Sequence, residues 1–344
     1  MHKAAAFCLT LTAALAAAVT LLSAQTSSPL LLVALRLKTT MGALAFVDTA
    51  SGKIVARVPT GQDPHGVTAS ADGRTAYVVN RTGPDGNTIS VIDIAARKEV
   101  DRIQVGPGAR LHDIQASGGM VYFTSQGYRA VGRYDTTRKT LAWFGVGEEG
   151  PHQLLVTKDG NTIYAANTDS HNVAVIEGVT GPNWKVSLIP VGGEGEGIDM
   201  SPDGKEIWLA SGEKNGGVAI IDLATRKVQN IPLQTVHANR LQMSPDGKYV
   251  IVLDRQTGDS ELIVLDRVSR KQVARMKPAP QPGQMIDLGD VVVAPDSSRA
   301  YVTVFNETVG GRNHVVAIDL KTLTIASRIE TPIWADEMAW AHTN

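Results

Sequence analysis

Three histidines, His65, His112 and His152, recur along the chain, two of them directly after a proline (Pro64-His65 and Pro151-His152). Three neutral imidazoles brought together could hold zinc or copper, ions that accept three nitrogen ligands and leave a position open. Glu196 comes next in the series and could act as general base on a bound water. Arg81 and Arg240 supply guanidinium groups suited to a carboxylate or phosphate, or to the oxyanion of an ester or lactone under attack. Asn167, Asn239, Asp290 and Asp336 complete the polar set. The same residues also have a plainer reading. Pro-His at a strand entry can serve a turn, and a polar ring around a water-filled channel needs no ligand.

What must position these residues is a repeat. Seven short apolar runs end in an acid: Asp48, Asp93, Asp135, Glu177, Asp222, Asp266 and Asp319, spaced 45, 42, 42, 45, 44 and 53 residues apart. A period in the forties filled with strand-like segments is the signature of a β-propeller, one blade per repeat. Within one repeat, Gly66–Ser70 reads as a first strand and Ala71-Asp72-Gly73 as a tight turn. Thr75–Asn80 and Thr88–Asp93 read as inner strands, and Glu99–Val105 as a polar-apolar outer edge. The Asp-Gly type of turn recurs only six times against seven acid-terminated strands. The chain therefore enters at the second strand of a blade, Leu30–Arg36, and leaves through a single last strand, Asp336–Ala341. The expectation is an all-β fold, a seven-bladed β-propeller of four-stranded antiparallel blades, with residues 25–344 as one domain. One blade is shared between the termini, which closes the ring.

Aligning the repeats on their turns places His65, His112, His152, Glu196, Asn239, Gly289 and Asp336 at one level, just before each first strand, with Asp290 beside the glycine. This level faces the channel mouth, where the blades converge their side chains. Loops between second and third strands add Arg36, Arg81, Gln126, Asn167, Glu213, Asp254, Arg255 and Asn306 around it. The sixth repeat is stretched at Gln281–Asp290 and Asn306–Asn313, and Met285–Asp290 is expected to lie over the mouth as a rim.

Tyr77-Val78-Val79-Asn80, Tyr164-Ala165-Ala166-Asn167 and Tyr301-Val302-Thr303-Val304 each follow an Asp-Gly-type turn. They resemble the YVTN repeat of seven-bladed propellers, a family of bacterial periplasmic and archaeal surface-layer proteins. The resemblance covers the mature chain. It implies a fold similar to the propellers of lactonases, nitrous oxide reductase and haem-d1 nitrite reductase, and says little about chemistry.

Several function classes drop out. Basic and acidic residues nearly balance, 33 against 34, with no long run of either, so no nucleic-acid footprint is expected. The single cysteine, Cys8, lies in the N-terminal apolar run, which removes thiol catalysis and cysteine-held zinc. No Gly-x-Ser-x-Gly elbow and no Cys-x-x-Cys-His occurs. Residues 1–24 read as a signal peptide, alternatively an uncleaved anchor, so a periplasmic or extracellular monomer without a further membrane span is expected. The first functional expectation is an exported, non-enzymatic scaffold binding a small ligand or protein partner on its channel face. The alternatives are a lactonase- or esterase-like hydrolase, and a propeller holding a divalent metal on His65, His112 and His152. No other cofactor is expected.

Overall fold

The computed structural model describes residues 30–36, 41–83, 86–213, 215–279, 283–306 and 312–341. The signal-peptide reading falls outside these residues. Seven four-stranded antiparallel sheets are arranged as blades. Blade 1 has the order Trp334–Trp340, Leu30–Arg36, Met41–Asp48, Lys53–Gln62, so the last strand of the described residues pairs with the first. Leu31 faces Trp340 and Leu32 faces Ala339 in that pairing, and Ala341 N–H donates to Leu30 O at 2.9 Å. The ring closes as the turn count required. The innermost strands of blades 2 to 7 are Pro64–Ala69, Leu111–Ser117, Pro151–Val156, Gly195–Met200, Ala238–Met243 and Ile286–Val293.

Each sheet is pressed between two others, so its middle strands must be apolar on both faces. Tyr249–Asp254 and Glu261–Asp266 accordingly carry unbroken buried runs. Seven apolar clusters result, one at each blade junction; that of blades 7 and 1 joins Tyr301, Val315 and Ala317 to Val33, Ala45 and Met338. Outer strands such as Lys98–Gln104 alternate toward solvent. The repeated aspartates cap the turn that follows them: Asp93 accepts from Ala96 N–H at 2.7 Å, Asp266 from Ser269 at 2.8 Å, Asp319 from Thr322 at 2.8 Å. They are scaffold residues.

The innermost strands present backbone N–H groups that have no further strand to pair with, and these need acceptors. Side chains of the preceding blade provide them. Asp113 Oδ2 accepts from Leu154 N–H, Asp199 Oδ2 from Met243 N–H and Asp290 Oδ2 from Met338 N–H, at 2.8, 2.7 and 2.8 Å. Thr68, Gln115, Gln153 and Gln242 do the same for Ala116, Val156, Ile198 and Val293. Six of the seven junctions are stitched in this way. Asp290→Ala, which leaves the buried Met338 amide without an acceptor, is expected to cost about 1–3 kcal/mol in denaturant unfolding. Asp290→Asn keeps an acceptor oxygen and should cost clearly less; equal losses for the two variants would dismiss the clip.

Candidate ligand site at the propeller axis

Every innermost strand carries a β-bulge at the same level. Register shifts fall between Pro64 and Val67, Leu111 and Ile114, Pro151 and Leu154, Gly195 and Ile198, Ala238 and Arg240, Leu288 and Val291, and opposite Val33–Leu35 in blade 1. A bulge sets two successive residues against one on the partner strand and re-aims their side chains. Here the pairs are His65-Gly66, His112-Asp113, His152-Gln153, Glu196-Gly197, Asn239-Arg240, Gly289-Asp290 and Asp336-Glu337. The level expected just before the first strands thus lies inside them. The expected rim is also corrected: Ile286–Val293 is a fully buried innermost strand, and only Met285 beside it is exposed. Eight consecutive buried positions leave it no freedom to cover the mouth.

The three histidines are neighbours. The rings of His65 and His112 stand 4.1 Å apart and those of His112 and His152 3.8 Å apart, centroid to centroid. Burial drives all three toward the neutral form, with His65 and His152 held down to about 3 and His112 also well below its ordinary value. Two Nδ1 atoms, of His65 and His112, are buried without a hydrogen bond. His65 Nδ1 lies 3.1 Å from Glu337 Oε1, but off the line that a hydrogen bond requires.

Arg240 is the buried cation of the group. Its Nη2 donates to Glu337 Oε1 at 3.0 Å, its Nη1 lies 3.4 Å from His152 Nδ1, and Glu196 is 3.9 Å away. Burial works against its charge, but Glu337, Asp290, Glu196 and Asp336 outweigh that and keep it protonated. Toward the mouth, Arg36 bridges Asp336 at 2.5 Å and Asp63 at 2.7 Å. Asp336 is buried, which raises its pKa, yet His65 and Arg36 hold it below the ordinary carboxylate value. Glu196 is brought down to about 2 despite burial, chiefly by its hydrogen bond from His237 at 2.9 Å, and it also accepts from Asn239. His237 is raised in turn by Glu196. One level deeper, burial pushes Asp113 and Asp290 up to about 8 and Glu337 up to about 7.

Arg81 stands apart. It is partly buried, makes one long hydrogen bond to Gln126 Oε1 at 3.4 Å, and has no carboxylate partner among the described residues. Burial and the nearby guanidinium of Arg36 lower its pKa, only partly opposed by Asp63 and Asp336, and Arg110 adds to the lowering. Asn167 is fully buried within blade 4, where its amide donates to Asn172 at 2.9 Å. The axial group therefore joins His65, His112, His152, Glu196, Asn239, Arg240 and Asp336, with Asp290 in the layer beneath. Sequence reasoning missed Glu337, Asp113 and His237. The signal was present in the doublets Asp336-Glu337 and His112-Asp113, two polar residues in succession where a buried strand should alternate.

The sequence pattern of the family described as Cytochrome D1 heme domain matches residues 30–138, less than half of the chain. A search of curated proteins finds no significant match. Solved structures with the same fold include hydrazine synthase of Kuenenia stuttgartiensis, at 20% identity over 88% of this chain and 95% of that one, with a TM-score of 0.61. Dihydro-heme d1 dehydrogenase NirN is similar at 15% identity over 91% and 75%, TM-score 0.63. A putative 6-phosphogluconolactonase of Bacteroides uniformis is similar at 14% over 91% and 99%, TM-score 0.69. At these identities the likeness is one of fold. The cavity inside the ring does not fit a haem. Three imidazoles in ring contact occupy the mouth level, and the cavity beneath them, lined by Asp113, Gln153, Asp199, Gln242, Asp290 and Glu337, holds about 220 Å³. Such a space is small and polar where a tetrapyrrole needs a wide apolar slot, so no step is routed through one.

Proposed function

We propose that this chain is an exported propeller scaffold whose channel mouth binds a small anionic ligand bearing a carboxylate or phosphate. The observation that carries this reading is Arg81, a partly buried guanidinium near those of Arg36 and Arg110, whose nearby carboxylates, Asp63 and Asp336, are already bridged to Arg36. Removing such a group from water costs free energy unless an anion offsets it. Arg110 beside it offers a second, exposed donor, and Arg110 N–H is fixed by Asn87 Oδ1 at 2.7 Å. Export to the periplasm or cell exterior belongs to the same reading, and rests on the N-terminal apolar run; no helix among the described residues is long and apolar enough to cross a membrane. Hydrolysis of a lactone fits less well. Glu196 is saturated by His237 and Asn239, which makes it a weak base, and His65 and His152 are far from a working pKa near neutrality.

The test is a thermal-shift and calorimetric series with inorganic phosphate, citrate and sugar phosphates at low ionic strength. Saturable stabilisation by at least one anion is expected, weakened about tenfold or more in Arg81→Ala, the scale of a lost charged hydrogen bond. Arg226→Ala, on the opposite face beside Glu177, should behave as wild type. No saturable response to any of these anions, or an unchanged response in Arg81→Ala, would overturn the proposal.

A further inference from the structure

We infer that His65, His112 and Glu337 form a buried site for one divalent transition metal of the zinc class. Each offers a ligand atom, and these atoms all lie within 4.8 Å of one another. All three side chains are almost fully buried, and the two imidazole Nδ1 atoms are left without a hydrogen bond. An unsatisfied buried acceptor or donor costs about 1–3 kcal/mol, and here two occur in one cluster beside a carboxylate. Metal coordination accounts for all three at once. Two nitrogens and one oxygen with a remaining open position suit zinc and its neighbours rather than calcium or magnesium, which take oxygen ligands.

The ligand set differs from a three-histidine one for a physical reason. His152 Nδ1 faces Arg240 Nη1, so its lone pair already has a donor, whereas the bulge at Asp336-Glu337 turns a carboxylate to the other two rings. Arg240 Nη2, 3.0 Å from Glu337 Oε1, holds that carboxylate in place as an outer-sphere partner. Its positive charge is met by Glu196 and Asp336 as well, so a dication does not face an unscreened guanidinium.

The experiment uses the mature chain, stripped with a chelator and titrated with Zn²⁺ and, for its visible absorption, Co²⁺. One tight equivalent is expected, with X-ray absorption of the zinc-loaded wild type showing two imidazoles and no sulfur. His65→Ala and His112→Ala should each weaken binding by about 100-fold or more, since even outer-sphere changes give 10–100-fold. Glu337→Gln should weaken it less, and His171→Ala on the surface not at all. Thermal melts of each metal-free variant establish that it is folded. Absence of a stoichiometric site in the wild type, or loss in His152→Ala as large as in His65→Ala, overturns the assignment. Inorganic phosphate binding through Arg81 is read separately, so either proposal can fail alone.

Discussion

Arg240→Met is expected to lower the unfolding free energy by about 3–5 kcal/mol, the range for removing one partner of a buried ion pair. The guanidinium contacts Glu337 directly and balances Glu196 and Asp336, in a layer with almost no access to water. Methionine fills similar volume, so packing loss contributes little and the effect reports on charge. Glu337→Gln in the same chain removes the nearest stranded carboxylate. The double variant should recover about 1–3 kcal/mol relative to Arg240→Met, the usual scale of coupling between contacting groups. Denaturant titrations of wild type, both single variants and the double variant measure this. Strict additivity would mean that the pair makes no energetic contribution, whatever its geometry.

The second large effect is acid lability. His65 and His152 are held to about 3 by burial, from an ordinary 6.5. In the unfolded chain they take up protons as pH falls through 6.5, while the folded protein refuses them until about 3. Their contribution to stability is therefore complete above about pH 7 and lost progressively between 6.5 and 3. By 1.36 kcal/mol per unit, His65 alone accounts for up to about 5 kcal/mol across that window. Asp113, Asp290 and Glu337 act in the opposite sense. Their raised values favour the fold at low pH and withdraw that support as pH rises toward 7 and 8. A difference measurement separates the two. His65→Gln should be destabilised relative to wild type at pH 7.5 and approach or overtake it at pH 4, in chelator-containing buffer. A constant difference across that range would show that the imidazole is not held neutral.

The architecture was legible because it rests on repetition. Seven acids at a period in the forties, six turns of the Asp-Gly type and continuous apolar middle strands all follow from local rules that a propeller applies over and over. Even ring closure could be counted, since Leu30–Arg36 lacked a turn before it. The axial level was legible as a row of positions, because His65, His112, His152 and Glu196 break the repeat at one place. What could not be read was which atoms meet there. That depends on a bulge in each innermost strand, and a bulge has no strong sequence signature. Without it, Glu337 and Asp113 alternate away from the axis; with it, both residues of a doublet turn toward the channel. Nor could the sequence separate Arg81 from Arg36. Only the fold shows that Arg36 is claimed by Asp63 and Asp336 while Arg81 is not. Asn167 illustrates the reverse, a polar residue at the right level that is turned into its own blade toward Asn172.

The shared blade has a consequence for how the axis comes into being. Among the described strands Trp334–Trp340 comes last in the sequence, and it brings Asp336 and Glu337 with it. Until that strand docks, Leu30–Arg36 keeps an open edge, Arg36 and Arg240 lack their nearest counter-charges, and His65 faces water. Six and three-quarter blades can stack beforehand, but their central charges remain unbalanced. Those seven residues thus lock the circle and neutralise its hub in a single move.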